Sequence, residues 1–284
     1  MSEFFHVMAA PFAACVLLVL VHAALGRHVL ARGVIFVDLA MAQIAALGGA
    51  VAFLLGHEVH SPASYVYSFG FTLLGAALFS FLWDRNHSVI QEAFIGIAFA
   101  FGGALSLLLL SGSPHGAEEF QSSLLGGGLL WLTWGDVGVM AVLYGCVGVF
   151  LWSKHRILIK CSERNEAAQR RGINVRLWDF LFYSAFGLVV TSSVKAAGIL
   201  AVFTFLIVPS VCAVLLGKRQ NAQLVWAWII GILGSMAAVS LSYAKDWPTG
   251  ASVVCVFGCL VTLISVATHA RFKKWKGDRL RQNR

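Results

Sequence analysis

Charge is what this sequence has least of. Lys, Arg, Asp and Glu supply 12% of its 284 residues, about half the share of an ordinary globular domain, so a folded aqueous domain is excluded. Acid is the scarcer sign, with 13 residues against 21 basic ones. Cysteine is sparse too: Cys15, Cys146, Cys161, Cys212, Cys255 and Cys259 are scattered without a C-x-x-C pair. They read as small apolar helix residues, with a metal or packing role left open for Cys255 and Cys259, which share a helix face. The phosphate loop G-x-x-x-x-G-K-[ST] is absent, as are H-E-x-x-H and G-x-S-x-G. The chain therefore carries no ATP chemistry of its own and no hydrolase signature.

What it has instead is apolar length. Hydrophobic residues make up 59% of the chain, and nine stretches run over about 5–26, 34–55, 63–83, 93–111, 132–152, 177–193, 194–216, 223–244 and 250–269. A bilayer core needs roughly 20 such residues per helix. The expectation is an all-α integral membrane protein of about nine transmembrane helices, with eight possible. Residues 1–270 form the membrane domain and 271–284 a basic tail. The first stretch follows no basic segment and lacks a cleavage signature, so it reads as a retained span. Glycine clusters such as Gly48-Gly49, Gly102-Gly103 and Gly126 to Gly128 need only close helix packing as their explanation.

The basic residues orient the spans. Arg27 and Arg32 follow the first stretch and Arg85 the third. Seven residues from Lys154 to Arg176 follow the fifth, Lys218 and Arg219 the seventh, and seven from Arg271 to Arg284 the last, so that 19 of the 21 fall on one side. Positive charge collects in short cytoplasmic loops, which puts the N-terminus outside and the C-terminus in the cytoplasm. The formal net charge of +8 is thereby assigned to lipid headgroups and a cytoplasmic partner, not to nucleic acid. Within the cytoplasmic loop 154–176, Ser162 to Gly172 reads as a short helix, with Ser162 as N-cap and Gly172 as its close. A polar helix of this kind suits a groove on a partner.

Ionisable residues inside spans are costly in lipid and usually face a cavity or a partner. Asp38 is the clearest, with Met41 and Ala42 on its helix face. It could hold a divalent cation, bond to Arg27 or Arg32, or cap its helix. Gln43 offers a carbonyl oxygen about 140° around the helix from Asp38, and Glu92 opens the fourth span, where an acid also suits the helix dipole. The opposite loops carry His57, Glu58 and His60, then His115, Glu118 and Glu119, donors suited to zinc, manganese or iron. His22, His28, His87, His155 and His269 read as packing or interface residues. Pro209 lies inside the seventh span and is expected to kink it.

Four segments in order carry a resemblance: Arg32-Gly33-Val34-Ile35-Phe36-Val37-Asp38, Glu92-Ala93-Phe94-Ile95-Gly96-Ile97, Gly198-Ile199-Leu200 through Ile207-Val208-Pro209, and Asp246-Trp247-Pro248-Thr249-Gly250-Ala251. From the second span to the ninth, the chain resembles the membrane permeases of metal-ion ABC importers, the zinc, manganese and iron uptake family. The resemblance implies a type II importer-like permease that works as a homodimer, with two cytoplasmic ATPase subunits and an extracytoplasmic metal-binding protein. The transported metal is cargo, and no resident cofactor is implied. The segment containing Glu166, Ala167, Arg170 and Gly172 resembles the family's ATPase-coupling element. Where the family often has a His four residues after the Asp, this chain has Ala42, followed by Gln43. Two other readings remain: a permease for a metal chelate or cobalamin-like ligand, and a stand-alone ion-coupled secondary transporter.

Overall fold

A backbone in hydrocarbon has no water to bond, so it closes its hydrogen bonds within helices. The computed structural model describes residues 2–58, 61–82, 88–112, 128–163, 172–217 and 220–282, and among these no strand occurs. The helices are α1 (Ser2–Arg32), α2 (Val37–Leu54), α3 (Pro62–Leu82), α4 (Ser88–Leu110), α5 (Trp134–Ser153), α6 (His155–Glu163), α7 (Val175–Ala197), α8 (Ile199–Leu216), α9 (Gln220–Lys245) and α10 (Thr249–Gln282). Among the described residues nine are long and apolar enough to cross a membrane, all except the short α6.

Several boundaries differ from the sequence expectation: α4 starts at Ser88, which puts Glu92 in its second turn, and α10 runs on to Gln282 through the tail expected from 271. Arg27 and Arg32 do not form a loop, because α1 continues to Arg32. It ends at Gly33, whose φ of 73° is left-handed; the Gly33 N–H reaches the Val29 and Leu30 carbonyls, and the Val34 N–H reaches Val29. This is a glycine-closed helix end. Similarly, the break after the sixth span falls at Gly198 (φ 82°), which ends α7 and starts α8. Lys195 thus lies in the last turn of α7, where a cation suits the helix dipole. At the start of α5, Thr133 and Asp136 form a capping box that satisfies two end donors.

The helices pack as two groups. In one, α2 lies between α3 and α4 and against α7, which also packs on α3; in the other, α1 packs on α8 and α9, and α10 packs on both of these. Contacts of α1 with α5 and α6, and of α7 with α8, join them. Lipid tails are as apolar as leucine, so membrane helices gain by close van der Waals approach through small residues. A β-carbon at Gly48 would stand 2.6 Å from the Tyr67 carbonyl oxygen and 2.8 Å from Ser68 Cα on α3. The same is true of Gly187, where it would meet Met41 and Thr72, and of Gly234, where it would meet Phe257 and Leu260.

Gly48→Ala should therefore destabilise the chain by about 1–3 kcal/mol through overpacking against backbone that cannot move aside. Gly70→Ala on α3, where a β-carbon meets nothing within 4 Å, should not. Thermal unfolding of both variants in detergent makes the comparison.

Candidate functional site

Asp38 is the second residue of α2 and is 1% exposed. Its Oδ1 is buried without a hydrogen-bond partner. The side chains that could neutralise it lie elsewhere. Arg27 donates to His155 Nδ1 at 2.9 Å, and Arg32 pairs with Asp179 Oδ1 at 2.8 Å. The N-cap residue of α2 is Phe36, which has no side-chain cap bond, so Asp38 does not serve as the cap of its helix. Burying a carboxyl without partners is expensive, and in a membrane helix such a group is a functional candidate by default. Met41, one turn on, wedges its thioether between Gly75 of α3 and Gly187 of α7, so the Asp38 face looks into the α2–α3–α7 seam.

Glu92 comes to the same end of α2. Its Oε1 accepts the Phe36 N–H at 3.3 Å, so this acid from α4 serves the N-terminus of α2. Gln43 points away from Asp38: its amide lies against Gly103 of α4, where a β-carbon would come 3.4 Å from Oε1. His57 is exposed beyond the other end of α2, its ring 5.9 Å from that of Tyr67. Sixteen residues of helical rise at 1.5 Å separate Asp38 from Leu54 at that end, roughly 24 Å, most of the thickness of a bilayer core. Asp38 and His57 cannot share one ion. His60, His115 and Glu118, with Glu119, lie outside the described residues. Among the described residues no three His, Cys, Asp or Glu side chains converge on a metal position. Pro209 sits within α8, which runs unbroken from Ile199 to Leu216, and its ring approaches Gly231 of α9.

Glu166, Ala167 and Arg170 also lie outside the described residues. Gly172 is described and has φ 73°, the left-handed geometry of a helix close. Ser162 is not an N-cap: it belongs to the last turn of α6 and is fully buried. Its Oγ accepts from Arg32 Nε at 3.1 Å and lies 3.4 Å from His28 Nδ1. The Arg32 guanidinium stacks 4.1 Å from the Phe182 ring centroid. The buried ion pair with Asp179 thus joins α1, α6 and α7. Sequence reasoning missed Asp179, although the rule that singled out Asp38 applies to it equally, since it is an acid inside an apolar stretch. No local pattern pairs Arg32 with it.

His155 is also more than an interface residue. An arginine can only donate, so Nδ1 accepts and the ring proton sits on Nε2. Burial first, and then the Arg27 and Arg156 charges, hold its imidazole below the ordinary 6.5.

Removing one partner of a buried ion pair costs about 3–5 kcal/mol, while an apolar replacement of both can be neutral. Asp179→Ala should therefore lower thermal stability by that amount, and Arg32→Met with Asp179→Leu should recover most of it. For His155 the folded chain favours the neutral ring, so stability is full above pH 6.5 and falls as acid protonates it. Acidification from about pH 7.5 to 5.5 should lower the wild-type Tm more than that of His155→Gln.

Comparison with known proteins bears on the whole chain. The profile of the ABC 3 transport family matches residues 4–269. The "Manganese transport system membrane protein MntC" of Halalkalibacterium halodurans is 26% identical over 278 residues, covering 95% of this chain and 91% of that one. The "Probable iron transport system membrane protein" of Haemophilus influenzae is 28% identical over 240 residues, covering 76% and 84%. The solved structure of PsaBC from Streptococcus pneumoniae in complex with Fab matches 92% of each chain with a TM-score of 0.76 at 19% identity, a likeness of fold. With nine apolar helices among its described residues, the chain is a multi-pass protein of the bacterial inner membrane and belongs to the ABC 3 transport family.

Proposed function

We propose that this chain is the permease subunit of an ATP-driven importer that carries a divalent transition metal, manganese or iron before zinc, into the cytoplasm. The relatives named for manganese and iron transport support that choice of cargo. The observation that carries the mechanism is the unpartnered, buried Oδ1 of Asp38: a carboxylate without a cation, inside a transporter, is a place for a passing one. Glu92 stands at the same end of α2 as a second carboxylate. By the charge pattern of the sequence, the loops that contain His57, His60, His115 and Glu118 are assigned to the side where an extracytoplasmic binding protein would deliver metal.

Two copies of the chain enclose the path between them, with N-termini outside and C-termini inside, as the placement of 19 of 21 basic residues favours. ATP is hydrolysed on separate cytoplasmic subunits that dock the segment containing Glu166, Ala167, Arg170 and Gly172. Motion at that segment enters the bundle through α6, then through the Arg32–Asp179 pair to α7, which packs on the helix of Asp38.

The test is ATP-dependent uptake of manganese, iron and zinc in vesicles holding this chain with its cognate ATPase and binding protein. Loss of even a supporting group at a metal site costs about 10–100-fold, so Asp38→Asn should lower uptake at least about tenfold at equal expression. Undiminished uptake of a bulky metal chelate by Asp38→Asn, or transport by the purified chain without ATPase, would overturn this reading.

A further inference from the structure

A cleft of about 690 Å³ opens between α1, α5 and the first turns of α9. Its deep part is apolar, with Leu17, Leu20 and Val21 of α1 facing Ala141 of α5, and its other end holds Arg27 and His155. Leu17 and Arg27 are ten residues apart on one helix, about 15 Å, half of a hydrocarbon core of roughly 30 Å. The cleft therefore has the depth of a single leaflet.

The α5 wall contains Gly145 and Gly148, and a β-carbon on either would meet nothing within 4 Å. At Gly26, Gly48 and Gly187 glycine draws helices together; here it leaves space open. Trp152, 83% exposed, stands at the mouth, where indoles favour the headgroup layer. Arg27 also lines a second cleft of about 390 Å³ between α1, α8 and α9, so this one residue borders both. An arginine carries five N–H donors, and His155 of α6 brings its Nε2 proton to the lining of the same cleft.

The occupant must be apolar along one leaflet and anionic at the level of Arg27. A second copy related by rotation about the membrane normal presents the same end of its own α5, flanked by Lys154, His155 and Arg156, and like charges would meet there. An acyl chain carrying a phosphate has the right charge at the right depth. We propose that this cleft binds an anionic phospholipid from the leaflet on the basic-loop side, with an acyl chain against Gly145 and Gly148 and the phosphate at Arg27 and His155.

The experiment is lipid binding to the purified full-length chain by native mass spectrometry, titrating phosphatidylglycerol and phosphatidylcholine of identical acyl chains. Wild type should prefer phosphatidylglycerol about fivefold, as expected for one basic residue at an anionic headgroup. Arg27→Gln should bind both lipids alike. Gly148→Leu, whose side chain enters open space and leaves the fold intact, should weaken both about tenfold. Equal binding of the two lipids by wild type, or unchanged affinity in Gly148→Leu, would overturn the proposal. So would a change of oligomeric state in Gly148→Leu without a change in lipid binding, which would assign the cleft to a second copy.

Discussion

Two opposite charges out of reach of water hold one end of this bundle together. Arg32 and Asp179 are essentially unexposed and 2.8 Å apart, an arrangement tolerated only when the desolvation of both is repaid by geometry and further bonds. Ser162 supplies a bond to the guanidinium and Phe182 an aromatic face, so the pair fixes three helices and not merely two. One of them, α6, leads directly to the segment proposed to meet the ATPase. Another, α7, packs along the helix of Asp38. The helix that leads to the proposed docking segment and the helix that packs on that of Asp38 are thus tied by a contact that cannot slip gradually, because separating its members leaves bare charge in an apolar interior.

Asp38 shows the opposite use of the same residue type. Asp179 has a cation and a place in the architecture; Asp38 has neither, although two arginines are close in sequence. Because those arginines are engaged with Asp179 and His155, the Asp38 carboxyl keeps an acceptor open at the end of α2. Its helix is held firmly by glycine-mediated contacts with α3, α4 and α7, so the open acceptor sits on a rigid element and does not wander to find a partner of its own.

Much of this was legible in the sequence because the bilayer makes simple demands. Spans announce themselves by length and apolarity, and among the described residues nine appear, most within a few residues of their expected bounds, although α10 runs well past its own to Gln282. Two of the exceptions follow from helix-end chemistry: α1 carries its arginines to Gly33, since charge does not end a helix and a left-handed glycine does, and α7 runs past the polar run Thr191 to Lys195 to reach Gly198. Asp38 was visible as an acid inside a span. The ion pair and the Arg27–His155 contact were not, because their members are well over a hundred residues apart and no periodicity links them. Ser162 misled because its composition suits a helix start, whereas its burial against Arg32 is a tertiary fact.

The central claim is that the open carboxylate oxygen of Asp38 takes up the cargo ion. Pulsed electron paramagnetic resonance on the assembled importer, loaded with manganous ion and labelled with carbon-13 at aspartate carboxyl groups, tests it at the level of a bond. A carbon-13 coupling to the metal in wild type that disappears in Asp38→Asn is the predicted result. A coupling that persists unchanged in the variant, or bound manganese without any aspartate coupling, would contradict it.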